Sequence, residues 1–305
     1  MSKPSASGSG ATPQPAVFRR AHRAMATMFE IFIAGLAQTE AHDVADAAFV
    51  EIDRMERLLS RFNPYSDISR INSAKPGTDV VVEVEAAECI QAAFRVWKQT
   101  DGAFDITAGS PPASGGGPKA PVGMQRIAID EDSMSVRRLD AKVRLDLGGI
   151  GKGYALDLAA DLLGEWGVKN ALCHGGTSTV LAMGSRPGRD GWQADLQNPS
   201  GDKDVLGSVL LKDCSFSGSS TAHSRHIIHP RTGKAIPADR AAWALADNAT
   251  TADALTTALC VMADDEIKRF ARRNPKVSFF LGRRVEGKWR LKAMGPKVLC
   301  DTSKK

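Results

Sequence analysis

The chain has 305 residues, 43% of them apolar and 25% charged, with 40 basic and 35 acidic side chains. That length and balance suit a folded domain with a sizeable core and exclude collagen-like, disulfide-scaffold and wholly disordered chains. The net charge of +5 is concentrated at one end: residues 268–305 hold 13 Lys or Arg against Glu286 and Asp301, so the rest of the chain is net acidic and a nucleic-acid-binding reading loses its support.

Residues 1–17 are dominated by Ser, Gly, Pro and Ala and are expected to form a flexible tail ahead of one domain over 18–305. This tail shows neither the apolar stretch of a secretory signal nor a cysteine for a lipid anchor, and no apolar run reaches the ~20 residues of a membrane span. A cytoplasmic chain without a membrane span is the expectation. Residues 27–33 alternate as a strand does. Over 39–62, Val44, Ala48, Ile52, Met55 and Leu59 recur at helical spacing, until Asn63-Pro64 stops the pattern. A second helix is predicted over 86–100, with Ile90, Ala93, Phe94 and Trp97 on one face. Residues 111–118 read as a Pro/Gly loop, 126–137 and 142–146 as short strands, the latter with Val143 and Leu145 inward.

A helix is predicted over 153–166, with Leu158, Leu162 and Trp166 as its stripe and Gly167 as its cap. Strands flank Gly175-Gly176 and continue through 191–216. A helix over 249–262 follows, then a hairpin over 276–294 turning at Glu286-Gly287. Without a βαβ rhythm, the class expected is α+β, with mixed or antiparallel sheets and packed helices. Five scattered cysteines without a C-x-x-C read as reduced, mostly buried thiols.

Four segments carry chemistry. Asp146-Leu-Gly-Gly-Ile-Gly-Lys-Gly-Tyr-Ala-Leu-Asp157 is a strand end, a glycine-rich turn and a helix start, where backbone N–H groups can meet phosphate. It is neither a P-loop, since Gly153 follows Lys152 where Ser or Thr is needed, nor a dinucleotide G-x-G-x-x-G. In Thr250-Thr-Ala-Asp253-Ala-Leu-Thr-Thr257, Asp253 and Thr257 share one helix face and offer hard oxygen ligands suited to Mg²⁺. Thr250-x-x-Asp253 equally matches a capping box, with the acid serving only its own helix. Thr100-Asp-Gly-Ala-Phe-Asp-Ile-Thr107 is either a backbone-lined slot or an ordinary helix stop. His223, His226 and His229 stand three apart, but Ile227-Ile228 and His229-Pro230 argue for a strand entering a turn, so the three do not share a face and a three-histidine metal site is disfavoured.

Taken together and in order, these segments resemble the ApbE-type FAD:protein FMN transferase family. Met25-Ala-Thr27, Ser60-Arg-Phe-Asn-Pro-Tyr-Ser-Asp-Ile-Ser-Arg-Ile-Asn72 and Gly175-Gly176 extend the resemblance across nearly all of residues 25–295. The resemblance implies an ApbE-like flavin transferase fold that uses FAD and Mg²⁺, moves the FMN half of FAD onto a Ser or Thr hydroxyl of a partner protein and releases AMP. It implies a partner carrying a motif of the type Asp-x-x-(Ser/Thr)-Gly-Ala-(Thr/Ser). Matched by position, Gly149 (through its carbonyl), Asp253 and Thr257 correspond to the metal ligands. Met25, Thr27, Ala103, Phe104, Asp105, Lys152 and His226 correspond to flavin-nucleotide contacts. Asp253, His226 and Lys152 are the candidate catalytic residues, with the general base unassigned between His226 and Asp253. The chain departs from the family pattern at His229, where aspartate is usual, at Thr177 and at Gly151. Two alternatives stay open: a non-catalytic FAD-binding or assembly protein, and a Mg²⁺-dependent FAD pyrophosphatase yielding FMN and AMP.

Overall fold

Two strands, β1 (Val17–Ala24) and β2 (Thr27–Ala34), begin the fold as a tight hairpin. Its two turn residues, Met25 and Ala26, both take positive φ, 48° and 59°. The right-handed strand twist selects such a turn, and for residues other than glycine each costs about 1 kcal/mol. The structure is a computed structural model; it describes residues 16–108, 123–201, 204–222 and 227–296, and the backbone of Cys300 and Asp301. Residues 1–15 and the expected loop at 111–118 lie outside these, and Val17, assigned to the tail, already pairs with Ala34.

After the hairpin come α1 (Gln38–Leu59), α2 (Asp67–Ser73), β3 (Asp79–Val81), α3 (Val84–Gln99), β4 (Ile127–Asp130), β5 (Ser135–Arg138) and α4 (Gly151–Glu165). They are followed by β6 (Asn170–Gly175), β7 (Thr179–Met183), β8 (Trp192–Gln197), β9 (Val205–Leu211), β10 (Cys214–Ser220) and β11 (Arg240–Ala246). The chain ends with α5 (Ala249–Val261), α6 (Asp264–Arg273), β12 (Ser278–Val285), β13 (Lys288–Met294) and β14 (Cys300–Asp301).

Eight strands form one antiparallel sheet in the order β1-β2-β6-β7-β10-β11-β12-β13. Phe29, Ile31 and Ile33 of β2, Cys173 of β6, Ala242 and Ala244 of β11 and Phe279 of β12 point to one face, where α1, α3, α4 and α5 complete the main core. On the other face, Val180, Phe216, Trp243 and Phe280 meet Trp192, Leu196, Val209 and Leu211 from the small sheet β14-β9-β8. A third sheet, β3-β5-β4, packs with α2. The α+β expectation with antiparallel sheets therefore holds. Cys89, Cys173 and Cys260 are buried free thiols, and burial pushes Cys173 and Cys260 up to about 12, which keeps them inert.

Two expectations need correction. Residues 142–146 form no strand; Val143 and Leu145 are buried, but Leu145 pairs with a side chain, not a ladder. In α4 the buried face is Ala155, Leu156, Ala159 and Leu163, whereas Leu158 and Leu162 are half-buried and Trp166 is 57% exposed. With α1, α5 and the sheet closing on α4 together, small residues are needed at the centre, and the bulkier stripe falls to the rim.

Candidate active site

The site is approached by the extended segment 143–147, which is pinned by side chains from elsewhere in the fold. Asn72 acts as a substitute for a strand neighbour: its Nδ2 donates to the Leu145 carbonyl at 2.9 Å and its Oδ1 accepts the Leu145 amide at 2.7 Å. The buried Arg138 guanidinium donates to the carbonyls of Ala74 (2.6 Å), Val143 (2.7 Å) and Ile71 (2.8 Å), tying α2 to the same segment. Asp146 then caps the glycine turn, its Oδ1 accepting the Gly148 amide at 3.0 Å, and α4 starts. At Gly149 a Cβ would stand 3.3 Å from the Phe104 ring and 3.4 Å from the Thr257 hydroxyl, so the bare glycine backbone is what lets the turn sit against α5.

Asp253 and Lys152 meet across the two helices. Asp253 is 3% exposed, and its Oδ2 accepts from Lys152 Nζ at 3.3 Å and from the Gly153 amide, in the first turn of α4, at 3.2 Å. The capping-box reading of Thr250-x-x-Asp253 does not hold. The cap of α5 is Asn248, whose Oδ1 accepts the Thr251 amide at 2.8 Å, and Asp253 serves no amide of its own helix. Asp157 of α4 accepts from the Ala249 amide (2.7 Å), the Thr250 amide (2.8 Å) and the Thr250 hydroxyl (2.5 Å). Burial pushes the Asp157 carboxyl above the usual carboxylate range, and the bonds from Thr250 and Ala249 pull it back.

The donor chemistry fits a hard divalent cation. Asp253 and Thr257 lie one turn apart on α5, and the Gly149 backbone approaches the Thr257 hydroxyl in a cradle that any side chain at 149 would fill. Among the described residues no three His, Cys, Asp or Glu side chains come together, so such an ion would be held by one carboxylate with neutral oxygens, as suits Mg²⁺ shared with a phosphate.

Beside Lys152 opens a cleft of about 280 Å³ lined by Met25, Leu59, Arg61, Phe62, Asp146 and Lys152 among others. Arg61 lies 3.2 Å from Asp146 Oδ2 and 4.5 Å over the ring of Phe62, itself 81% exposed. The expected contacts Met25 and Lys152 thus share one cleft, which Asp253 reaches only through its bond to Lys152. Thr27 stands at the hairpin, against Gly176: a Cβ there would be 2.5 Å from the Thr27 hydroxyl, and φ is 71°. Ala103 and Phe104 are buried, and their amides are bonded to the Thr100 carbonyl (3.0 Å) and hydroxyl (3.1 Å) respectively. Asp105 accepts from the Thr107 hydroxyl (2.6 Å) and amide (2.8 Å) and the Met124 amide (3.2 Å), and burial pushes its carboxyl up. His223 and His226 lie outside the described residues. The segment after them is a strand-like bridge, Ile228 to Ala235, closing a turn in which the His229 carbonyl accepts the Gly233 amide at 2.8 Å. Arg61, Phe62, Asp146 and Asp157 carried no assigned role in the sequence reading, and the helix expected to run to 62 ends at Leu59, which frees Arg61 and Phe62 for the cleft.

A model of the ApbE family matches residues 25–281. The chain belongs to the ApbE family. The FAD:protein FMN transferase of Salmonella typhimurium is 24% identical over 308 residues, covering 90% of this chain and 87% of that protein. The FAD:protein FMN transferase of Escherichia coli K12 is 26% identical over 288 residues, covering 82% and 80%. Among solved ApbE structures, the flavin transferase of Vibrio cholerae superposes with a TM-score of 0.79 at 20% identity, covering 92% of this chain and 97% of that one. The ApbE protein of Thermotoga maritima gives 0.79 at 26% identity, with 92% and 97% covered.

Proposed function

We propose that this ApbE protein is a Mg²⁺-dependent FAD:protein FMN transferase, acting on a Ser or Thr hydroxyl of a partner with an Asp-x-x-(Ser/Thr)-Gly-Ala-(Thr/Ser)-type motif. The observation that carries this reading is Lys152, paired with Asp253 and lining a cleft together with the glycine turn at the N-terminus of α4. Its support from relatives is their shared name and their alignment over most of the chain.

The acceptor oxygen forms a bond to the FMN-side phosphorus, the pyrophosphate P–O bond breaks, and AMP leaves with the electron pair. Lys152 places a positive charge where the pyrophosphate must sit and where negative charge builds as AMP departs. The Asp253 carboxylate, the Thr257 hydroxyl and the Gly149 carbonyl would hold Mg²⁺, which when bound neutralises pyrophosphate charge as a Lewis acid. Arg61 and Phe62 offer a cation and a ring face at the mouth, suited to a planar, polyanionic ligand. The hydroxyl proton goes to a base, for which His226 is the candidate, because Asp253 is already engaged by Lys152 and the Gly153 amide.

The test is incubation with FAD, Mg²⁺ and a peptide bearing the motif, followed by mass measurement. A peptide gain equal to FMN, with AMP released, is expected. FMN and AMP with an unmodified peptide would point to a pyrophosphatase, and FAD retained intact to a binding protein.

A further inference from the structure

α4 and α5 each receive an aspartate from the other. Asp253 of α5 meets the Gly153 amide in the first turn of α4, and Asp157 of α4 meets the first two amides of α5. Helix N-termini leave orphan N–H groups and carry partial positive charge, so both carboxylates are favourably placed. Asn248 supplies the local cap of α5 at Thr251, and Asp157, from another helix, takes the two amides before it. What Asp157 adds is a directional tie between helices roughly ninety positions apart in sequence.

We propose that Asp157 is a positioning residue that sets the metal-binding face of α5 against Lys152. The inference rests on the reading of Asp253 and Thr257 as metal ligands. Lys152 rides on the first turn of α4, while Asp253 and Thr257 ride on α5, so any slip between the helices changes the spacing of cation, carboxylate and hydroxyl. The close approach at Gly153 is a non-directional backbone contact and resists compression, not sliding. The three bonds to Asp157, two of them from backbone amides, resist sliding. Outer partners of this kind typically change metal affinity or activity by about 10–100-fold, and a misplacement of about 1 Å can cost about 10²-fold in rate.

The experiment titrates Mn²⁺, followed by its electron paramagnetic resonance signal, with and without FAD, against the unaltered protein, Asp157→Asn, Thr250→Val and Asp253→Ala. In parallel, kcat and the KM for FAD are measured. Asp157→Asn is expected to raise the Mn²⁺ Kd about 10-fold and lower kcat at least as much, with KM for FAD within about twofold. Thr250→Val, which removes the hydroxyl bond and keeps both amide bonds, is expected to fall between. Lower thermal stability with unchanged Mn²⁺ affinity and kcat in Asp157→Asn would make it an ordinary structural cap and overturn the proposal. Should Asp157→Asn not fold, an unshifted Mn²⁺ Kd in Thr250→Val overturns it equally. Mn²⁺ binding that survives in Asp253→Ala, or is missing in the unaltered protein, would instead refute the metal reading itself.

Discussion

A Cβ built on Gly153 would stand 2.2 Å from the carbonyl oxygen of Ala249, with the Thr250 nitrogen at 2.8 Å. Both obstacles are backbone, at the place where α4 and α5 exchange their aspartates. Gly153→Ala must therefore push the helices apart and loosen the bonds to Asp157 and Asp253 together. A loss of about 2–4 kcal/mol is expected, beyond ordinary overpacking, and urea unfolding measures it. A loss below about 1 kcal/mol would mean that α5 moves freely.

Lys152 is the one cation bonded to Asp253 among the described residues. It is half-buried and takes no part in the core, so Lys152→Met should fold normally. Steady-state kinetics with FAD and acceptor peptide are expected to show kcat/KM reduced by about 10²–10³-fold, the scale of losing one charge-stabilising donor. A change under about threefold would remove Lys152 from the chemistry.

Arg138 is buried without a carboxylate partner, and burial holds its guanidinium below the usual arginine range. It is held by carbonyls of Ile71, Ala74 and Val143. Arg138→Met leaves those acceptors unpaired, and a loss of about 3 kcal/mol or more is expected. Because residues 143–147 lead into the glycine turn, activity at saturating FAD should fall even at temperatures where the variant stays folded. Denaturant titration and kinetics at 10 °C separate the two effects.

What the sequence disclosed follows from how local each signal is. The i, i+4 placement of Asp253 and Thr257 is visible within five residues, and so is the turn at Glu286-Gly287, where φ is 51° and 79°. β1 escaped because it is an edge strand whose Arg19, Arg20, His22 and Arg23 look like loop; Arg19 pairs with Glu30, Arg20 with Asp46 and His22 with Asp53. β11, reading Arg-Ala-Ala-Trp-Ala-Leu-Ala, is largely buried on both faces, so it shows no alternation, and alanine favours helix. The strand expected at 142–146 failed because Asn72 supplied its pairing from a distant helix. Likewise, nothing near Asp157 in sequence reveals the Ala249 and Thr250 amides it serves.

At His229, Nδ1 accepts the Arg231 amide at 3.2 Å, a bond that only the unprotonated ring can make. Burial first, and then Arg231, lower its pKa below that of a free imidazole; Glu266 opposes them, and Arg240 lowers it slightly further. The folded state thus prefers the unprotonated ring. Its contribution to stability is complete above the unfolded value near ~6.5 and is lost as pH falls below that toward the depressed folded value. Relative to His229→Asn, the unaltered protein should lose stability between pH 7.5 and 5. Parallel stability curves across that range, measured by urea unfolding, would show that His229 does not titrate as argued.

The exchange of aspartates between α4 and α5 also sets when this protein can begin to work. Lys152 and Gly149 leave the ribosome long before Asp253 and Thr257, and β6 to β11 are made in between. A nascent chain that stops before α5 has the β1–β2 hairpin and the glycine turn but neither the Asp253 carboxylate nor the Thr257 hydroxyl. Long-range closure of this kind comes late in folding. Because α5 is buried against α4, β10 and β11, a chain without it lacks core and oxygen donors alike, and the fold and the site are completed in one event.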